Sequence, residues 1–218
     1  MTAVKICGLS EPETLQAAID AGTDFIGFVF YPSSSRFVNV ETASALAELV
    51  PPAVKKVGLV VDATDQDLLQ ITQNVELDML QLHGDETPQR IEDIAGLTAL
   101  PIMKAIRVRD EVDLENVSEF ETVADWLLFD NKCTSAPGGT GESFDWNVLT
   151  GRTFSKPWML SGGLTAENIG DALSQLSPDA VDISSGVESA KGIKDPDKIK
   201  AFIEAVKTSA KQHKSILP

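Results

Sequence analysis

Val4-Lys5-Ile6-Cys7-Gly8-Leu9-Ser10-Glu11-Pro12-Glu13 decides the fold. Four residues of buried-strand character run into a single glycine turn. A cap residue and an early proline then open a helix that carries Leu15, Ala18 and Ile19 on one side. A dinucleotide-binding unit would place a glycine-rich fingerprint at this turn, and none stands there. What remains is a plain strand–turn–helix unit.

The unit recurs outward along the chain. Short apolar runs rich in Val, Ile, Leu and Phe predict further buried parallel strands at Phe25–Phe30, Lys56–Val61, Met79–Leu82, Ile102–Val108, Trp126–Asp130, Trp158–Leu160 and Ala180–Ile183. Amphipathic stretches separate them. Thr165-Ala166-Glu167-Asn168 opens one helix, and Asp195-Pro196 opens the last, with Ile199, Phe202, Ile203 and Val206 as its buried stripe. Between Asp130 and Trp158 the only helical candidate is the short stretch after Asp145. Eight strands alternating with about eight helices predict a parallel α/β sheet. A doubly wound sheet satisfies the alternation too, but the count favours closure into a (β/α)8 TIM barrel. No linker, low-complexity tract or charge run divides the chain, so residues 1–218 are expected to form one barrel domain.

Composition narrows the function. With 18 Lys and Arg against 33 Asp and Glu, the net charge is −15, which repels nucleic acid and anionic membrane surfaces. No apolar stretch approaches the length of a membrane span. Met1-Thr2-Ala3-Val4-Lys5 lacks the features of a signal peptide, so a cytoplasmic setting is expected. The two cysteines, Cys7 and Cys133, are too few for a disulfide framework. The two histidines, His83 and His213, are too few for a histidine-rich metal site.

In such a barrel, chemistry sits where strands end and loops begin. Strand 1 ends Lys5-Ile6-Cys7-Gly8, strand 4 ends Gln81-Leu82-His83-Gly84, and strand 6 ends Phe129-Asp130-Asn131-Lys132. Side chains alternate, so an inward-facing Lys5 brings Cys7 into the mouth, and His83 and Asp130 join it from their own strands. Strand 7 ends Ser161-Gly162-Gly163-Leu164, read as leading directly into a helix, and strand 8 ends Ser184-Ser185-Gly186-Val187. Glycines admit an anion close to the backbone, and helix starts supply N–H donors, so this pair of loops predicts a phosphate site.

Cys7 reads two ways: a small buried core residue, or a general base if a cation such as Lys5 favours its thiolate. Lys5 itself either supplies that cation or pairs with Asp182 on neighbouring strand 8. Asp130 follows Trp126-Leu127-Leu128-Phe129 and stands at the rim of an apolar wall, where a carboxyl keeps a proton for acid work. Its alternative is to cap the loop that follows. Arg36, in the loop after strand 2, is either solvated or a two-pronged contact for a substrate carboxylate. His83 is a ligand contact or a satisfied core histidine. Gly138-Gly139-Thr140-Gly141 reads as a lid beside Asp130.

Taken together, these stretches resemble the phosphoribosylanthranilate isomerase family of tryptophan biosynthesis, essentially end to end. The resemblance rests on Val4-Lys5-Ile6-Cys7-Gly8-Leu9, Gly27-Phe28-Val29-Phe30-Tyr31-Pro32 with Ser35-Arg36, Gln81-Leu82-His83-Gly84, and Leu128-Phe129-Asp130. It continues through Gly138-Gly139-Thr140-Gly141 with Phe144-Asp145-Trp146, Leu160-Ser161-Gly162-Gly163-Leu164, and Val181-Asp182-Ile183-Ser184-Ser185-Gly186-Val187-Glu188. It implies an Amadori rearrangement of N-(5-phosphoribosyl)anthranilate to 1-(2-carboxyphenylamino)-1-deoxyribulose 5-phosphate. By motif position it implies Asp130 as general acid, Cys7 as general base, and Arg36 as the contact for the anthranilate carboxylate. Gly162, Gly163, Ser184, Ser185 and Gly186 fall at the phosphate, and His83 among the substrate-binding residues. No metal or organic cofactor is implied. The implied partner is a small-molecule phosphosugar, and neighbouring tryptophan-pathway enzymes are further candidate partners. The nearest rival, the histidine-pathway isomerase of similar shape, uses an aspartate where Cys7 stands. A catalytically silent phosphosugar-binding barrel would need neither Cys7 nor Asp130.

Overall fold

Strand β1 (Ala3–Cys7) pairs in parallel with β2 (Phe25–Val29) on one side and with β8 (Ala180–Ile183) on the other, and this double pairing closes the barrel. The computed structural model describes residues 2–131 and 145–214. Between the closing strands run β3 (Lys55–Val60), β4 (Met79–Leu82), β5 (Ile102–Val108), β6 (Trp126–Asn131) and β7 (Trp158–Leu160), each hydrogen-bonded to the next. All eight expected strands form, with bounds that agree to within a residue.

Two-residue alternation sorts their side chains. Val4, Ile6, Ile26, Phe28, Leu80, Leu82, Leu127, Phe129, Val181 and Ile183 face outward into the main core with the helices. Val57, Met79, Met103, Ala105, Leu128, Met159 and Ala180 form a smaller apolar plug inside the barrel. Above that plug the inward positions turn polar: Lys5, Gln81, Asp130, Ser161 and Asp182 are all buried. Parallel register sets Lys5 opposite Asp182 and Cys7 opposite Gly27. The polar layer at the carboxyl ends of the strands is therefore a product of register.

Seven α-helices cover the barrel among the described residues: α1 (Pro12–Ala21), α2 (Val40–Ala47), α3 (Asp65–Asn74), α4 (Pro88–Thr98), α5 (Val117–Val123), α6 (Ile169–Gln175) and α7 (Pro196–Lys214). Where about eight were expected, the described residues between β6 and β7 form the 3-10 turn Trp146–Leu149, at the stretch after Asp145. Proline at the first position opens α1, with Glu11 rather than Ser10 at the cap and no side-chain cap bond. α7 buries Ile199, Phe202, Ile203 and Val206 completely, as its stripe predicts.

Two features differ from the sequence reading. α6 begins at Ile169, not Thr165, because Thr165 and Asn168 tie an intervening turn. Thr165 N–H donates to Asn168 Oδ1 at 2.8 Å, and Asn168 Nδ2 donates to the Gly163 carbonyl at 2.8 Å. The loop after strand 7 therefore does not run directly into a helix. After β8, a 3-10 turn (Ser185–Val187) leads into a two-stranded hairpin, β9 (Glu188–Ala190) and β10 (Ile193–Lys194), which the sequence reading did not foresee.

Candidate active site

A cavity of about 740 Å³ opens at the carboxyl ends of the strands, and Cys7, Arg36, His83 and Asp130 all line it. Its walls include Ser161-Gly162-Gly163 after β7 and Ser184-Ser185-Gly186 after β8. Every predicted site residue thus reaches one mouth. Gly138-Gly139-Thr140-Gly141, read as a lid, lies outside the described residues, as does Cys133.

On the β1–β8 side, Cys7 and Lys5 share the inner face of one strand. Lys5 is completely buried, and its Nζ donates to Asp182 Oδ1 at 2.8 Å. Asp182 Oδ2 accepts from the Ser161 hydroxyl at 3.2 Å. The two sequence readings of Lys5 are compatible, since the ammonium pairs with Asp182 and also acts on the Cys7 thiol. Burial alone would lower the Lys5 ammonium, but Asp182 and Cys7 outweigh it and hold the group above its ordinary value. The thiol balances the other way. Burial pushes Cys7 up, Asp182 adds to the rise, and the pull of Lys5 and Lys194 does not cancel them. The expected effect of Lys5 is present, and burial exceeds it. Gly27 makes room for this arrangement: a Cβ there would lie 2.9 Å from Cys7 Sγ and 3.3 Å from Lys5 Nζ.

The β4–β6 side is built differently. Phe129 packs outward on Phe154 and Trp158, with ring centroids at 4.7 and 5.6 Å, so its neighbour Asp130 turns into the mouth. Asp130 Oδ1 accepts from the Asn131 N–H at 2.9 Å, a local cap of the expected kind. Asp130 Oδ2 stands 3.2 Å from His83 Nε2, off hydrogen-bond alignment. His83 Nδ1 meets the Gln81 amide nitrogen at 2.9 Å. With that amide donating, the ring hydrogen of a neutral His83 sits on Nε2 and faces Asp130.

Arg36 does not reach into the cavity as an open fork. Its Nε donates to Glu188 Oε1 at 2.6 Å and its Nη2 to Glu188 Oε2 at 3.1 Å, a two-pronged grip within the protein. Glu188 also accepts from the Gly192 N–H at 3.0 Å and from Lys194 Nζ at 2.9 Å. Burial alone would push the Glu188 carboxyl up, but the Arg36 hydrogen bond and the Lys194 charge outweigh it and hold the group at about 2.

The two loops after β7 and β8 supply donors of the kind an anion needs. Gly162 and Gly163 adopt positive φ of 86° and 68°. A Cβ at Gly162 would lie 2.6 Å from the Asn131 nitrogen, so only glycine fits there. Neither glycine's N–H donates to an acceptor among the described residues. The first N–H groups of the Ser185–Val187 turn have no partner within the turn itself. Among the described residues, no group of three His, Cys, Asp or Glu side chains is placed to hold a metal ion.

Sequence reasoning assigned no role to Gly27, Gln81, Glu188 or Lys194. Gly27, Gln81 and Glu188 stood inside motifs that were read for other residues. For Gly27, the signal was its place opposite Cys7, which only register reveals. Lys194 carried no signal in its spacing.

Comparison with known proteins agrees with this geometry. Residues 4–205 match the family model described as N-(5'-phosphoribosyl)anthranilate isomerase. The isomerase of that name from Paracoccus denitrificans is 50% identical over 203 residues, covering 92% of this chain and 94% of its own. The one from Paramagnetospirillum magneticum is 49% identical over 207 residues, covering 94% and 96%. The crystal structure of the Thermotoga maritima enzyme superposes with a TM-score of 0.88 at 36% identity, covering 95% of this chain and all of that one. A second crystal structure, of a phosphoribosyl anthranilate isomerase in complex with reduced 1-(o-carboxyphenylamino)-1-deoxyribulose 5-phosphate, superposes at 0.83 with 34% identity, covering 95% and 100%. With a closed (β/α)8 barrel, Cys7, His83 and Asp130 at one mouth, and similarity along nearly its whole length, the chain belongs to the N-(5'-phosphoribosyl)anthranilate isomerase family.

Proposed function

We propose that this chain isomerises N-(5-phosphoribosyl)anthranilate by an Amadori rearrangement, with Asp130 as general acid and Cys7 as general base. The observation that carries the assignment is that these two groups sit on different strands, β6 and β1, yet line one cavity floored by an apolar plug. Protonation of the ribose ring oxygen by Asp130 lets the C1–O bond break, and the nitrogen lone pair forms the Schiff base. The Cys7 thiolate then removes the proton from C2, and the C–H electron pair gives the enolamine. Tautomerisation moves a proton to C1 and leaves the C2 ketone, so the reaction is an isomerisation with no net gain or loss of atoms.

Each neighbour has a part in this reading. Lys5 stabilises the thiolate and Asp182 holds Lys5 in place. His83 faces the carboxyl oxygen of Asp130 and restricts its rotation. The open N–H groups of Gly162 and Gly163, with Ser184, Ser185 and Gly186, receive the phosphate of the substrate. Arg36, fixed in place by Glu188, faces the anthranilate carboxylate. The phosphosugar is the partner this site requires. A cytoplasmic setting, where the substrate would be made, and contact with neighbouring tryptophan-pathway enzymes belong to the same proposal.

Loss of anthranilate-type fluorescence tests it when the purified protein meets freshly generated phosphoribosylanthranilate. Decay well above the spontaneous background with the wild type, and none with Cys7→Ala or Asp130→Ala, is the expected result. An active Cys7→Ala variant would remove the general-base assignment.

A further inference from the structure

The hairpin after β8 enters the catalytic scheme through Glu188 alone, yet it also carries a buried ammonium. Lys194 on β10 is 6% exposed, and each of its three N–H donors has an acceptor. Its Nζ lies 2.9 Å from the Ser184 carbonyl, 3.0 Å from the Ser184 hydroxyl and 2.9 Å from Glu188 Oε1. The Ser184 hydroxyl in turn donates to the Cys7 carbonyl at 3.0 Å. A continuous chain therefore runs from the hairpin ammonium to the residue that carries the thiol.

We propose that Lys194 is a positioning residue for Cys7, a second buried cation that fixes the Cys7 backbone through Ser184 and favours the thiolate alongside Lys5. The inference rests on the reading of Cys7 as the base. Burying an ammonium is costly unless it is paired, and Glu188 supplies the pairing. Glu188 divides its carboxylate between Lys194 and Arg36, so one group holds both the hairpin cation and the arginine of the cavity wall.

Other charges also face the thiol. Lys5 stands on its own strand and Asp182 on β8, while His83 and Asp130 share the mouth. Arg36 and Glu188 line the same cavity. Lys5 and Lys194 are the two groups that pull the thiol down, and only Lys5 lies on the strand that bears it. Burial draws Lys194 itself below the ordinary lysine value, partly offset by Glu188, so its charge depends on that carboxylate.

Iodoacetamide alkylation of Cys7 as a function of pH, in a Cys133→Ser background that leaves one thiol, tests the coupling without any substrate. Lys194→Gln keeps a hydrogen-bond donor and removes the charge. Its alkylation midpoint is expected to move up by about one pH unit, a roughly tenfold loss of thiolate at fixed pH. Lys194→Arg keeps the charge, and its midpoint should stay near the parent's. Glu188→Gln removes the carboxylate on which the Lys194 charge depends, so its midpoint should move up in the same direction as that of Lys194→Gln. In turnover, Lys194→Gln should lose kcat more than it raises KM. A folded Lys194→Gln protein whose alkylation profile superimposes on the parent's would overturn the proposal. Should that variant fail to fold, an unmoved midpoint in Glu188→Gln would overturn it instead. If the predicted alkylation shifts appeared in a protein that does not turn over phosphoribosylanthranilate, the isomerase reading would fall and the Lys194–Cys7 coupling would stand.

Discussion

The two sides of the barrel mouth carry opposite kinds of chemistry. On the β1–β8 side, Cys7 is surrounded by paired charges: Lys5 with Asp182, and Lys194 with Glu188. On the β4–β6 side, Asp130 is paired with no lysine or arginine among the described residues and faces an imidazole and a backbone N–H. Among the described residues, cations gather where the proposed base needs its anionic form, and none is paired with the proposed acid. A site that must donate a proton at one atom and remove one at the next gains from this separation, because each group's surroundings are set without disturbing the other.

The largest expected effect is on the two groups themselves. Cys7→Ser and Asp130→Asn should each reduce kcat by about a thousandfold, within the usual span for a lost general acid or base. Thermal stabilisation by inorganic phosphate should persist in both, since the proposed phosphate site lies in other loops. If one of the two kept near-wild-type turnover, the division between the sides would be broken at that residue.

Next comes Glu188, the counter-charge of the β1–β8 side. A carboxyl held at about 2 against an ordinary value of about 4.3 contributes on the order of 3 kcal/mol to folding at neutral pH. Its folded-state value is depressed, so the contribution is complete above the ordinary glutamate value and disappears as pH falls through about 2. Denaturant unfolding of Glu188→Gln should show a deficit of that order at neutral pH, and the gap to wild type should narrow toward pH 2. A pH-independent gap would mean that lost packing, not lost charge, sets the cost.

A smaller effect sharpens the comparison sterically. Gly27→Ala would press a methyl group on Cys7 Sγ and Lys5 Nζ, an overpacking worth about 1–3 kcal/mol, and should lower turnover as the thiol shifts. The buried pair Lys104–Glu86, 2.6 Å apart, supplies the control. Lys104→Met should destabilise the fold and leave the pH profile of Cys7 alkylation unmoved. A shift there would mean that any buried charge loss disturbs the thiol.

Much of this architecture was legible in the sequence, because each barrel strand is a short apolar run whose burial on both faces leaves little choice of structure. The mouth residues followed from alternation along those strands: with Lys5 inside, Cys7 is inside too. What stayed hidden depends on contacts between distant parts of the chain. Glu188 grips Arg36 across 152 positions, and no local pattern marks that partnership. The hairpin of β9 and β10 is short and polar, with Ser189, Lys191 and Gly192 in its course, so it reads as a loop until Glu188 and Lys194 are seen to be buried. Arg36 was legible as a carboxylate-binding fork, but not as one that already holds a carboxylate of the protein. The direction of the Cys7 shift was hidden too, since the sequence shows the cation two residues away but not the depth of burial that exceeds it.

The central claim is that a buried thiol is the base, and the pH dependence of kcat/KM tests it most directly. Phosphoribosylanthranilate turnover measured from about pH 6 to about pH 10 should rise along a limb whose midpoint lies above the ordinary thiol value of about 8.5. That limb should vanish in Cys7→Ala. A flat profile across the range, or a limb that survives in Cys7→Ala, would contradict the account.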